Sequence, residues 1–309
     1  MKGIDLSIVV PVYNSENCLD ELAQQLSEKL GNSNYELILV NDVSKDNSWN
    51  KIVSLAAINR RIKGISLKKN SGQDNAIMAG LGQASGEYIV IMDDDLQHDP
   101  GDIEKLFSKC KEGYDVCYGL FPDKRQSFWK NAGSKLNEYL AELFLKKPKD
   151  LYLSPFKVLH SSLVRKIVEY KGAFPYIDGI ILSLTSNITQ LELVHKKRFQ
   201  GKGNYNLLRS VSVFLKHVTG YSLYPLRIAT IIGIMASGLS FSLGVFFLLD
   251  YLTNATRVEG WITLVLLIVF FNGLMLMCLG LIGEYIGRIY LTVTAGKPQY
   301  LIDKTTRHD

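Results

Sequence analysis

The sequence predicts an α/β fold, a mostly parallel sheet with helices on both faces, followed by a hairpin of two membrane-spanning helices. Three observations carry this. Short, β-branched apolar runs alternate with segments of helical apolar spacing through the first third of the chain. One such run, Tyr88–Met92, leads straight into three consecutive carboxylates, Asp93, Asp94 and Asp95. Near the C-terminus, Ile228–Leu249 and Trp261–Gly283 are uncharged throughout, and at about 1.5 Å rise per residue each spans the roughly 30 Å hydrocarbon core.

The elements follow in order. Leu6–Val12 reads as a buried strand, and Cys18–Leu30 as a helix with Leu19, Leu22, Leu26 and Leu30 on one face. Tyr35–Val40 and Ile62–Leu67 are the next strands, each followed by a helix, Ser48–Ile58 and Gln73–Gln83; Tyr88–Met92 is the fourth strand. Beyond the triplet, Asp102–Lys109 is expected as a helix, Asp115–Gly119 as a short strand, Lys130–Leu145 as an amphipathic helix and Leu191–His195 as another strand. The stretch 206–223 sets apolar side chains beside Arg209, Lys216 and His217, which suits a helix lying on a bilayer or a core helix of the soluble domain. The short link Asp250–Gly260 forces the two apolar runs into an antiparallel hairpin.

In a parallel sheet, ligands bind beyond the carboxyl ends of the strands. Asn14, Asp42, Asn70 and Asp93–Asp95 all fall just past strand ends, so they are expected to converge on one crevice. Three adjacent carboxylates repel one another unless a hard divalent ion sits among them, and such an ion can also hold a diphosphate. The alternative is a solvated acidic turn that caps the next helix.

Composition narrows the rest. Four cysteines, Cys18, Cys110, Cys117 and Cys278, have no paired metal or redox spacing and read as reduced thiols. The net charge of +5 is mild and its basic residues gather near the membrane-proximal segment. Attraction to lipid head groups and phosphates is expected, with no nucleic-acid partner. No signal peptide is read at the N-terminus, and the basic residues flanking the two apolar runs place both termini in the cytoplasm.

Val10-Pro-Val-Tyr-Asn14, Asn41-Asp-Val-Ser-Lys-Asp46, Lys69-Asn-Ser-Gly-Gln73, Met92-Asp-Asp-Asp-Leu-Gln97, Arg198-Phe-Gln-Gly201 and Gly283-Glu-Tyr-Ile-Gly-Arg-Ile-Tyr290 together resemble the family 2 glycosyltransferases. Within them, the chain is most similar to the polyprenyl-phosphate transferases, such as the bacterial undecaprenyl-phosphate glucosyl and aminoarabinosyl enzymes and the dolichol-phosphate-mannose synthases. The resemblance implies a GT-A fold, Rossmann-like, in a cytoplasmic domain over 1–205, an interfacial helix over 206–225, a membrane hairpin over 226–284 and a cytoplasmic tail over 285–309. It implies residence in the bacterial inner membrane and an inverting transfer of one sugar from a nucleoside diphosphate, UDP in the first instance, to polyprenyl phosphate. A homo-oligomer, a tetramer, is compatible with it.

The same resemblance implies roles. Asp93 and Asp95, with Gln97, would hold Mg²⁺ or Mn²⁺. Pro11, Tyr13, Asn14, Asp42, Asn70, Gln73, Asp93, Asp94, Arg198, Lys202 and Tyr205 would line the nucleotide-sugar site, and Arg125, Lys130, Ser134 and Lys135 would meet the acceptor phosphate. Asp95 is placed at the catalytic centre; Asp150 is the candidate base and Asp178 the alternative, against a plain surface-loop role. Two departures from the family pattern stand out. Where the family pattern usually has two aspartates followed by glycine, this chain has Asn41, Asp42 and Val43, and a β-branched residue resists a left-handed backbone, so a different nucleotide loop is expected. In Asp150-Leu-Tyr-Leu-Ser-Pro-Phe-Lys157, only Asp150 is acidic. A weak base is tolerable, because a phosphate monoester already carries an oxyanion at neutral pH.

Rival readings are separable. A processive polysaccharide synthase needs more spans and a Gln-x-x-Arg-Trp motif, which the sequence lacks. An oxidoreductase reading of Gly80-Leu-Gly-Gln-Ala-Ser-Gly86 fails because the segment precedes a strand instead of following one. A non-catalytic membrane scaffold is kept open by Asn41 and Val43, and a transferase acting on another lipid acceptor by the unassigned pocket walls.

Overall fold

In the computed structural model, the described residues are 4–31, 33–121, 148, 151–172, 175–193, 224–254, 260–295 and 300–306. Along the chain run β1 (Leu6–Val12), α1 (Leu19–Leu30), β2 (Tyr35–Asn41), α2 (Ser48–Ile58), β3 (Ile62–Leu67), α3 (Gln73–Leu81), β4 (Tyr88–Ile91), α4 (Asp102–Cys110) and β5 (Val116–Leu120). Then follow β6 (Lys157–His160), α5 (Ser161–Val168), α6 (Ile177–Leu184), β7 (Ile188–Glu192), α7 (Tyr224–Asn254), α8 (Trp261–Ala295) and β8 (Ile302–Thr305).

The strands form one sheet in the order β7-β5-β6-β4-β1-β2-β3-β8. Only β6 and β8 run against the others. β1 and β2 are buried at every position, as a strand covered on both faces requires. Helix α1 buries Leu19, Leu22, Leu26 and Leu30, the face its spacing predicted, into a core with Ile8, Val10, Leu37, Ile52, Val90 and Leu106. Gly80 of α3 lies so close to the sheet that an added Cβ would stand 2.4 Å from Val9 Cγ1. This glycine is a helix-to-sheet packing contact.

The elements up to β5 match the sequence reading, apart from end residues. Four later ones were not anticipated: β6, α5, α6 and β8. β6 is four residues long, too short for periodicity to declare it, and its place between β4 and β5 is set by pairing with both. The strand expected at Leu191–His195 lies earlier, at Ile188–Glu192. The helix expected over Lys130–Leu145 and the interfacial segment 206–223 fall outside the described residues.

Two compact units are present, Met1–Leu207 with Ala295–Asp309, and Leu208–Thr294. Both apolar runs of the second unit are helical, and the second helix continues past Gly283 to Ala295. Among the described residues, Phe270–Gly287 is long and apolar enough to cross a membrane; the first helix contributes the shorter apolar stretch Ala229–Leu243. Asn272 Nδ2 donates to the Ile268 carbonyl of its own helix at 2.8 Å. The segment read as a tail returns to the sheet: β8 pairs with β3, Lys68 N–H donates to the Leu301 carbonyl at 2.8 Å, and Gly64 N–H donates to Thr306 Oγ1 at 2.7 Å.

Candidate functional site

Four loops leave the carboxyl ends of β1, β2, β3 and β4, and hydrogen bonds stitch them together. Asn14 N–H donates to Ser44 Oγ at 3.0 Å, and Asn14 Oδ1 accepts from Lys45 N–H at 2.7 Å, tying the β1 loop to the β2 loop. Asn70 Nδ2 donates to the Asp42 carbonyl at 3.0 Å, tying β3 to β2. Gln73 Nε2 donates to Asp93 Oδ1 at 2.7 Å, tying the first turn of α3 to the end of β4. Asn14, Asp42, Asn70, Gln73 and Asp93 thus converge as the strand ends predicted.

Not every one of these side chains is free for a ligand. Asp42 is only 4% exposed, and its two oxygens accept from the amides of Ser71 at 2.7 Å and Gly72 at 2.8 Å. Burial raises its pKa while those two amides pull it back. The carboxylate therefore shapes the turn into α3, where Gly72 sits at φ +88°. Pro11 lies inside β1, buried opposite Val40, so it forms part of the floor beneath the crevice and does not line its wall. Tyr13 is 46% exposed.

Val43 corrects an expectation. It takes the left-handed conformation, φ +56°, despite its β-branch. The loop holds because Asp42 N–H donates to the Val12 carbonyl at 2.9 Å and Ser44 N–H to Asn41 Oδ1 at 3.1 Å, on either side of the strained residue. The glycine-type turn is kept, at a cost on the order of 1–2 kcal/mol.

The acidic triplet is under electrostatic tension. Burial, then the neighbouring Asp95 and Asp94, push Asp93 up to about 7, with Lys157 and the Gln73 amide opposing. Asp94 is raised by burial, partly offset by Ser15 Oγ and the Tyr13 backbone, and its Oδ2 is buried without a hydrogen-bond partner. Asp95 Oδ1 accepts from Gln97 N–H at 3.2 Å, closing a two-residue turn in which Leu96 stands at φ +60°. Among the described residues, no group of three or more His, Cys, Asp or Glu is arranged as a ready metal cage. The donor set nevertheless fits a hard divalent ion bound through one or two carboxylates, with water and diphosphate oxygens completing it, and among the described residues no donor reaches the buried Asp94 Oδ2.

His98, next to Gln97, is 4% exposed and stacks between Phe121, at 5.6 Å, and Phe156, at 4.9 Å. It packs behind the loop. Asp178 is not in a surface loop: it stands in the first turn of α6, forms an ion pair with the buried Lys157, and accepts from the Tyr118 hydroxyl at 2.8 Å. Beside it, Asp74 is pushed up to about 6, chiefly by burial and then by the Asp178 carboxylate. Sequence reasoning missed Lys157, Tyr118 and Asp74. A lysine in a short apolar strand was the available signal. Asp150, Arg125, Lys130, Ser134, Lys135, Arg198, Lys202 and Tyr205 lie outside the described residues.

Known proteins share this architecture. The fold is similar to that of glucosyl-3-phosphoglycerate synthase from Mycobacterium tuberculosis, solved with Mn²⁺, UDP-glucose and phosphoglyceric acid; the match has a TM-score of 0.52 at 18% identity and covers 72% of this chain and 79% of that one. An uncharacterized glycosyltransferase of Bacillus subtilis is 32% identical over 98% of this chain and 95% of its own length. The undecaprenyl-phosphate 4-deoxy-4-formamido-L-arabinose transferase of Aeromonas hydrophila is 30% identical over 98% of this chain and 94% of its own. The profile of glycosyl transferase family 2 matches residues 7–171, which hold the sheet from β1 to β6 and the acidic triplet at its carboxyl end. The chain is a glycosyltransferase with the GT-A fold and belongs to glycosyl transferase family 2.

Proposed function

We propose that this protein transfers one sugar from a UDP-sugar to polyprenyl phosphate, with inversion at the anomeric carbon, on the cytoplasmic face of a bacterial inner membrane crossed by α7 and α8. The observation that carries the reading is the carboxylate triplet at the carboxyl end of β4, where burial and the neighbouring acids push Asp93 up to about 7 and Asp94 Oδ2 is buried without a hydrogen-bond partner. Similarity to the undecaprenyl-phosphate transferase over nearly the full length supports the acceptor, and the apolar helix Phe270–Gly287 supports the membrane. The Mn²⁺ and UDP-glucose held by the mycobacterial synthase support the donor and the ion.

Asp93 and Asp95, with Gln97 beside them, would hold Mg²⁺ or Mn²⁺, which when bound screens the charge gathering on the leaving diphosphate. Gln73 holds Asp93 in place, and Asp95 is fixed by its own turn. Tyr13, Asn14 and Asn70 frame the nucleotide, with Asp42 shaping the turn beneath it. An oxygen of the acceptor phosphate attacks the anomeric carbon from the face opposite the diphosphate. The bond to UDP breaks with its electron pair leaving on UDP, and the sugar ends on the phosphate. The acceptor is already an oxyanion at neutral pH, so Asp150 has little proton to remove. Arg125, Lys130, Ser134 and Lys135 would orient that phosphate, and Arg198, Lys202 and Tyr205 would close over the diphosphate.

The test is direct. Purified full-length protein in lipid, given undecaprenyl phosphate, a panel of UDP-sugars and Mn²⁺ or Mg²⁺, should form a lipid-linked sugar with at least one donor. No product with any donor, or undiminished product in Asp95→Ala, overturns the reading.

A further inference from the structure

Among the described residues, one buried cation stands beside the acidic triplet, and its placement is set by three elements. In the β4–β6 ladder Lys157 lies opposite Ile91, two residues before Asp93. On its other side it lies opposite Tyr118 of β5, and its ammonium stands 5.1 Å from the centre of that tyrosine ring. The Lys157 side chain is 4% exposed and pairs with Asp178, which is 15% exposed. The Tyr118 hydroxyl donates to the Asp178 oxygen that takes the lysine, so the carboxylate cannot swing away without losing both partners. Helix α6, which carries Asp178, is in turn tied to α3, because Asp74 accepts from the Ile177 amide.

The pair is therefore a fixed dipole. Its positive end is anchored beside Ile91, two residues before Asp93, and a positive charge there acts against any other cation that approaches.

We infer that Lys157, held by Asp178, is a positioning charge that sets the strength of the metal site: it weakens binding of the bare ion, so that the ion is retained only together with the diphosphate of the donor. This rests on the proposed metal-dependent reading. Asp178 acts through Lys157, and touches neither sugar nor acceptor. With the lysine charge present, the two metal-side carboxylates offer less net attraction than their formal charge, and the missing attraction is supplied by the anionic substrate. The ion would then leave with the nucleotide product and free the site for the next cycle.

A structural role and an electrostatic one make opposite predictions. Mn²⁺ binding to the full-length protein in lipid nanodiscs, with and without UDP, can be followed by the paramagnetic resonance of free Mn²⁺. Lys157→Met should bind Mn²⁺ without UDP at least about threefold more tightly than wild type, and Asp178→Asn at least about threefold more weakly, because its lysine is left unbalanced. Lys157→Arg should match wild type. Shifts of both charge-removing variants in the same direction, or no shift in either, overturn the inference. If a single variant does not fold, the double variant Lys157→Met with Asp178→Leu, which leaves no buried charge unpaired, decides. Tighter binding in the double supports the inference; unchanged or weaker binding overturns it. A wild-type protein that takes up no Mn²⁺ even with UDP overturns the metal reading itself, and this inference with it.

Discussion

Two carboxylate sites sit at opposite ends of the same sheet and are treated in opposite ways. Near the amino end of β2, Glu36 is 6% exposed and fully attended. Its Oε1 accepts from Ser7 Oγ at 2.6 Å, Ser85 Oγ at 2.6 Å and Ser85 N–H at 2.8 Å, and its Oε2 takes Lys63 at 3.4 Å. Burial pushes its pKa up, but these donors outweigh burial and hold it below the usual value. At the carboxyl end, burial wins at Asp93 and the neighbours make it worse. The contrast teaches how to tell a structural acid from a functional one. Glu36 is buried and Asp93 half-buried, so exposure alone does not separate them; the supply of donors differs, and the undersupplied site is the one proposed to take an outside cation.

Replacement of the acids should separate them most sharply. Asp95→Ala and Asp93→Asn should each lose about a thousandfold or more in sugar transfer, the scale of losing several kcal/mol of charge stabilisation in the transition state. Folding should survive, and in Asp93→Asn the unfolding midpoint at pH 8 should rise. Glu36→Ala should do the reverse, losing about 3 kcal/mol of stability in denaturant melts because it strands buried hydroxyls and an amide, while activity per folded molecule stays near wild type. Equal loss of activity in both would break the comparison.

The two sites should also respond to pH with opposite signs. Asp93 binds its proton more tightly in the folded chain, so between its ordinary value of 3.8 and about 7 the folded state carries more protons than the unfolded one. Stability from this group falls as pH rises through that window, by up to about 1.4 kcal/mol per pH unit. Glu36 is held below 4.5, so its contribution is present above that value and is lost as pH falls through the folded pKa. Thermal melts at pH 5 and pH 8 should differ less in Asp93→Asn than in wild type, and millimolar Mn²⁺ given together with UDP should recover stability at pH 8 in wild type alone.

The smallest effect is expected at Val43. Val43→Gly relieves a left-handed φ of 56° but frees the unfolded chain, leaving a net gain of about 1 kcal/mol or less in melts. A loss would show that the valine side chain contributes more than its backbone costs.

What could be read from residues alone followed from how local the signal was. β1 to β4 with their helices announced themselves because each apolar run is long enough to bury and each ends in a polar loop residue. The convergence of Asn14, Asp42, Asn70 and Asp93 followed from that layout. The exact use of Asp42 did not, because its bonds to Ser71 and Gly72 depend on how a separate loop folds over it. Lys157 was hidden for the same reason: β6 is short, and its partners Asp178 and Tyr118 come from α6 and β5, brought together only by the sheet order. Similarly, the return of residues 302–305 to β3 has no trace in their polar sequence.

That return strand has a topological price. Because β8 hydrogen-bonds to β3, the chain that leaves the sheet unit before α7 must come back to it after α8. Whatever bilayer the two helices enter is left on the side of entry, so the number of crossings has even parity whichever way the hairpin points. Reporters fused before Met1 and after Asp309 should therefore light up in the same compartment.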